Sequence, residues 1–360
     1  MTLRQRQPLP TSSSTPPPTA PDPSRQGVKL PWYQYPLNVI LAITLRFLGK
    51  FGFYLHNKRY KPNGIPVTRI KKVQMRDGYE VILHIYEPSQ QSTSTSKSSL
   101  RPCVINFHGG GFTIGSGTDD SRWALWCTRT TEASRPRGST TSGPSKERSG
   151  LGGIFISIEY RLSPEYPHPT PVNDCIDATT YIINNTKEFG IDLNQVLLSG
   201  FSAGGSLAVT TALALSSPSS TSSLSTTTTT TTTTETTKNP IAGVVAFYPV
   251  LDFNTPRLIK RQQAIAYTNS HSTSGGGGSE EGEGRVIPLP GWMTRMFDTS
   301  YLPPHLSLDR KDPMISPGLA PSSQLEGFPN VHLVLCGADV LAHEGRVFGE
   351  RLRDGKRDEC

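Results

Sequence analysis

From Val67 onward the chain changes from irregular to patterned. In Val67–Pro88 (VTRIKKVQMRDGYEVILHIYEP) apolar and polar residues alternate on both sides of Asp77-Gly78. That is the pattern of two half-buried strands joined by a tight hairpin turn. Short continuous apolar runs follow at Pro102–Phe107 (PCVINF), Ile154–Tyr160 (IFISIEY), Val196–Leu198 with Ser199, Ile241–Val250 (IAGVVAFYPV) and Val331–Cys336 (VHLVLC). Runs of this kind read as strands buried on both faces. Val172–Asn185, Gly205–Leu215 and Glu344–Arg353 read as helices between them. Strands and helices alternating at this spacing predict an α/β fold, a mostly parallel sheet with helices on both faces.

Three stretches break the rhythm. Residues 127–150 have no apolar periodicity, 216–238 hold an unbroken Thr226–Thr234 run, and 270–285 are rich in Ser, Gly and Glu. With the Pro/Ser/Thr-rich tail at 1–35, they bury too little apolar surface to offset ordering entropy, so they are expected to be disordered tail and surface insertions. They also dilute the composition of the 360 residues to 34% hydrophobic; without them the remainder has an ordinary core-forming make-up.

The formal charge is +7, from 36 Lys and Arg against 29 Asp and Glu. Arg4, Arg6, Arg25 and Lys29 lie in the tail, and Arg129, Arg135, Arg137, Lys146 and Arg148 in one loop. No aromatic residues are interleaved with them as a nucleic-acid groove requires, so no nucleic-acid partner is expected. The five cysteines lack metal-ligand spacing, and no metal or cofactor is expected. Cys103 and Cys336 fall in apolar runs, where reduced cysteine acts as a small hydrophobe. A reducing, intracellular setting follows: cytoplasmic, or peripheral to an internal membrane.

Leu37–Leu55 (LNVILAITLRFLGKFGFYL) is the one membrane candidate, and Arg46 and Lys50 interrupt it. Each mid-span charge costs about 2.5–3.5 kcal/mol on insertion scales. A cap helix over the functional site is the first expectation, and a helix lying on a membrane surface the second.

The candidate chemistry begins at Gly200-Phe201-Ser202-Ala203-Gly204, preceded by a strand and followed by a helix of small residues. A serine on a sharp strand-to-helix turn needs Gly200 and Gly204 beside it, because the backbone is strained and neighbouring chains pass close. The turn lifts the hydroxyl above the sheet and aims a helix N-terminus at a developing oxyanion. His108-Gly109-Gly110-Gly111-Phe112 follows the PCVINF strand. Its glycines leave backbone N–H groups unobstructed, so Gly109 and Gly110, with Ala203, are candidate oxyanion donors. His108 is expected to orient the loop rather than act as a base. Asp339, after Val331–Cys336, suits the acid of a Ser…Asp…His order; it equally suits an N-cap for the next helix.

HGGGF, IEYRLSPEYPHP, GFSAGG, DPMISP and GADVLAHEG, in this order, resemble the hormone-sensitive-lipase family of α/β-hydrolases. The resemblance covers about residues 65–353. It implies an α/β-hydrolase domain at 65–360 behind a cap or membrane-associating segment at 36–64, with part of 253–300 completing the cap. It implies a serine carboxylesterase or lipase acting on small acyl esters, or aryl amides, with nucleophile Ser202, acid Asp339 and oxyanion donors Gly109, Gly110 and Ala203. Tyr160, Arg161 and Glu165 match a stretch that is structural in the family.

The family's base is a histidine beyond one further strand. Of histidines 56, 84, 108, 168, 271, 305, 332 and 343, only His343 follows Asp339, four residues on. The expectation is therefore a C-terminally incomplete domain with impaired hydrolysis. The alternative is a non-catalytic small-ligand-binding protein, as in plant gibberellin receptors, which are similar to this family and lack the histidine.

Overall fold

A hairpin, five parallel strands and one covering helix set the position of everything else. The computed structural model describes residues 33–59, 64–88, 100–129, 150–216, 239–271, 289–337 and 339–357. The expected tail, apart from residues 33–35, and nearly all of the three insertions lie outside these residues.

Strands β1 (Arg69–Gln74) and β2 (Glu80–Tyr86) form the hairpin, with Gln74 opposite Glu80. Gly78 turns the chain at φ 85°, and the Asp77 carboxylate accepts the Tyr79 N–H. This is why Asp-Gly is favoured there: Gly carries no Cβ to oppose positive φ, and Asp closes the turn locally. The remaining strands are β3 (Arg101–Phe107), β4 (Ile154–Glu159), β5 (Ile191–Phe201), β6 (Gly243–Phe247) and β7 (Asn330–Val334). The sheet order is β1-β2-β4-β3-β5-β6-β7, antiparallel as far as β4 and parallel beyond it. Cys103–Phe107 and Ile154–Ile158 are buried on both faces, as parallel strands between helix layers must be.

The helices are α1 (Gln34–Arg59), α2 (Ser121–Thr128), α3 (Thr170–Asn184), α4 (Thr186–Phe189), α5 (Ala203–Ser216), α6 (Arg257–His271), α7 (Gly291–Tyr301), α8 (Ser322–Leu325) and α9 (Ala342–Arg357). One face of the sheet packs under α3, α5 and α9 in the main core. The other carries a smaller cluster of Tyr86, Val104, Ala124, Cys127 and Phe155 under α2. α5 is buried along nearly its whole length, which its small residues permit, since a bulkier helix could not sit so close to β3 and β5. α1 meets α7, with the Asn38 amide donating to Thr299 Oγ1 at 2.7 Å.

Two details depart from expectation. Cys336 lies beyond the end of β7 and is exposed; the strand stops at Val334 because its hydrogen-bonding partner β6 ends at Phe247. Cys127 and Thr128, assigned above to an insertion, are buried in the last turn of α2. No helix among the described residues is long and apolar enough to cross a membrane.

Candidate active site

β5 leads into α5 through Ser202, whose φ is 54°. That is left-handed backbone, costly for a side chain other than glycine and held only where the surroundings over-determine it. Here the Ser202 N–H donates to Phe247 O at 2.8 Å, and the Ser206 N–H donates to Ser202 O at 3.1 Å. The flanking glycines are needed for close approach. A Cβ on Gly200 would lie 2.3 Å from the Gly204 carbonyl carbon, and one on Gly204 would lie 1.9 Å from Phe107 O. The turn is thus wedged between the ends of β3 and β6.

The glycine loop leaves β3 beside it. A Cβ on Gly109 would come within 2.9 Å of Phe201 O, so this loop abuts the residue before Ser202. Gly110, at φ 115°, accepts the N–H groups of Thr113 and Ile114 at its carbonyl. The Phe297 ring of α7 lies over Gly111, and Tyr301 stacks on Phe112 with centroids 3.8 Å apart. The N–H groups of Gly109 and Gly110 have no acceptor among the described residues. Ala203 opens α5, so its N–H has no acceptor within the helix. Three unobstructed donors therefore sit on the two turns that border Ser202.

His108 is sealed beneath this loop. Its ring stacks on Tyr160 (4.2 Å, 9°), and the Tyr160 hydroxyl donates to His108 O at 2.7 Å. Nδ1 lies 2.8 Å from Gly109 O. A carbonyl only accepts, so Nδ1 carries the proton and the buried Nε2 has no partner. Burial pushes the His108 pKa down, keeping the ring neutral. This arrangement fixes the loop and presents no nitrogen to Ser202. Glu159 secures the loop's far end by accepting from Ser116 Oγ and the Gly117 N–H. Burial opposes ionisation of Glu159. The His84 hydrogen bond and these donors outweigh it and hold its pKa at about 2.

Asp339 follows β7 at the same end of the sheet. Its carboxylate accepts the Leu341 N–H at 3.1 Å, and its N–H donates to Cys336 O. It therefore caps the turn into α9. Tyr248 lies near it, at φ 39°, with its N–H on Val334 O at 2.7 Å and its ring against Phe201. Burial raises the Tyr248 pKa first, and the charges of Asp120, Cys336 and Asp339 raise it further.

A family model described as alpha/beta hydrolase fold matches residues 148–360. The chain belongs to the α/β-hydrolase family. Its relatives place it with the hormone-sensitive-lipase-like members. It is 26% identical to arylacetamide deacetylase of Bos taurus, over 92% of this chain and 84% of that protein. It is 25% identical to Lipase 2 of Moraxella sp., over 79% of this chain but only 57% of the lipase. An arylesterase of Saccharolobus solfataricus is 30% identical over 41% of this chain and 39% of its own length. The chain thus spans less than two thirds of two of these relatives. Among solved structures, a hyperthermophilic esterase from Pyrobaculum calidifontis superposes with a TM-score of 0.57 at 20% identity. That match covers 90% of this chain and 85% of the esterase, and it supports the fold.

Among the described residues of this α/β-hydrolase, no histidine hydrogen-bonds Ser202 or Asp339. His84 is engaged by Glu159 at 3.1 Å and His168 by Tyr301 at 3.1 Å. His305 rests against Tyr35, and His332 is exposed on β7. His343 turns into a separate cleft lined by Asp252, Lys260 and Glu344. The side chains of His56 and His271 lie outside the described residues.

Residues outside the predicted chemistry also build the site. Arg46 of α1 donates to Thr113 O, Ser163 O and Glu165, clamping α1 to the loop behind the glycines. Its interruption of an apolar run was the available signal. Phe297 and Tyr301 carried no signal, because only the tertiary fold brings α7 over Gly111. Arg161 pairs with buried Asp174 (Nη2 to Oδ1 2.6 Å), tying the segment after β4 to α3.

Proposed function

We propose that this chain is a carboxylic-ester hydrolase of the acyl-enzyme type. The observation that carries the reading is Ser202, strained at φ 54° on a turn bordered by the unpaired N–H groups of Gly109, Gly110 and Ala203. A serine so presented attacks an ester carbonyl, and the oxygen that becomes negative is stabilised by donors already in place. In this reading Ser202 Oγ bonds to the acyl carbon, the three N–H groups hold the tetrahedral oxyanion, and the alcohol leaves with a proton. Water then attacks the acyl-enzyme and releases the acid. Asp339 serves as the triad acid. His108, Gly111, Gly200 and Gly204 hold the geometry. Substrates are small acyl esters or aryl amides, in keeping with relatives named lipase, arylesterase and arylacetamide deacetylase.

Since no described histidine reaches Ser202, turnover is expected to be slow, limited to the share that oxyanion stabilisation and binding supply, about 10³–10⁴-fold over water. Hydrolysis of p-nitrophenyl butyrate tests this. The expected result is a weak rate that Ser202→Ala abolishes and that added imidazole raises only in the Ser202 protein. A rate equal in Ser202→Ala and the parent would refute the nucleophile. A second reading, ligand binding without turnover, draws on the same absence of a bonded histidine. Saturable binding of a small carboxylic acid, with no Ser202-dependent hydrolysis, would favour it.

A further inference from the structure

Helix α1 leaves much of its apolar surface exposed. Its inward face is mixed: Ala42 is buried, Asn38 is buried on Thr299, and Arg46 reaches Thr113 O, Ser163 O and Glu165. The opposite face is apolar apart from Thr44. Leu37, Ile40, Ile43, Phe47 and Leu48 are 48–71% exposed. At 100° per residue Leu37, Ile40, Phe47 and Leu48 fall within about a third of the helix circumference, with Ile43 alongside. A helix covered by its own protein alone would not leave five large apolar side chains in solvent. α7, held to α1 by the Asn38–Thr299 bond, adds Trp292, 51% exposed. Tryptophan suits the boundary between headgroups and hydrocarbon.

The charge distribution indicates what covers this face. Nine lysines and arginines against the single acid Asp22 give residues 1–65 a charge of +8. The remaining 295 residues, with 27 cations and 28 anions, carry −1. The entire positive excess of the chain therefore belongs to the apolar helix and its flanks, and α1 contains no acid. An apolar stripe in a basic segment is the composition that an anionic bilayer surface attracts and a protein groove need not. None of the described helices is long and apolar enough to cross a membrane, so the contact is one of lying on the surface.

We propose that the exposed face of α1, with Trp292, docks this hydrolase onto anionic phospholipid membranes through interfacial insertion. The inference is independent of the proposed esterase activity. The test is vesicle flotation of the full chain with phosphatidylcholine vesicles and with vesicles containing about a third phosphatidylserine. The expected result is co-flotation with the anionic vesicles, weakened by salt. It should fall at least about tenfold in an Ile40→Asp/Phe47→Asp variant, as expected when two inserted side chains become charged. Both side chains are exposed, so circular dichroism and the thermal midpoint of the variant should match the parent. A parent that stays unbound, or a variant that floats equally well, overturns the proposal. So does a parent that forms a dimer which the variant dissociates, with no vesicle binding by either; that would assign the face to a second copy.

Discussion

Replacing Gly204 by alanine tests how tightly the strand-to-helix turn is wedged. The added Cβ would lie 1.9 Å from Phe107 O and 2.6 Å from His108 O. Both are backbone atoms, so no side chain can swing away. Ordinary contact begins near 3.4 Å, so α5 and the end of β3 must part by about 1.5 Å. Forcing a methyl into a packed site costs about 1–3 kcal/mol. At roughly 2–4 °C per kcal/mol for domains of this order, the thermal midpoint should fall by at least about 2 °C and as much as about 12 °C. The same separation moves the N–H groups of Gly109 and Gly110 relative to Ala203. A misplacement of about 1 Å can cost about a hundredfold in rate, so any Ser202-dependent hydrolysis should vanish. Gly349→Ala on α9 is the control. Its Cβ would meet only Leu333 Cδ1 at 3.5 Å, and alanine for glycine inside a helix stabilises by about 0.5–1 kcal/mol. Thermal scans by circular dichroism decide the matter. If Gly204→Ala melts with the parent and keeps its Ser202-dependent rate, the wedge is refuted.

Half-buried Asp120 accepts the Asn106 amide at 2.8 Å, and desolvation raises its pKa from 3.8 to about 6, more than the amide lowers it. The folded chain therefore binds the extra proton between about pH 4 and 6, and its contribution to stability falls as pH rises through that window. Asp120→Asn should remove this slope and gain up to about 3 kcal/mol above pH 7; denaturant midpoints that keep the parent's slope there would contradict it. Glu159, depressed to about 2, acts with the opposite sign. Its stabilisation is complete above the unfolded carboxylate value and lost as pH falls toward 2, so Glu159→Gln should flatten the acid limb of a stability profile measured below pH 4. Asp174 is fully buried against Arg161, and Asp174→Ala leaves that guanidinium only its Asp77 partner, at 2.7 Å. A loss of about 1–3 kcal/mol is expected for the buried hydrogen bonds, and an unchanged urea midpoint would show that the pair is not needed.

The sequence by itself carried the sheet, the order of its elements and the local chemistry of the turns. Asp77-Gly78, Gly200 and Gly204 are legible because each is required by its immediate backbone, and the apolar runs of β3 and β4 because parallel strands are buried on both faces. The resemblance carried the family. Tertiary structure decided what depends on residues far apart in the chain. It seated the His108 ring beneath the glycine loop by stacking it on Tyr160, 52 positions later, and it brought Phe297 over Gly111. It also turned Arg46, an interruption in an apolar run, into the clamp that faces α1 inward. Periodicity reports which residues share a helix face, but not which face meets the protein. Only the fold could show that Asn38, Ala42 and Arg46 face inward, and that Leu37, Ile40, Phe47 and Leu48 are exposed.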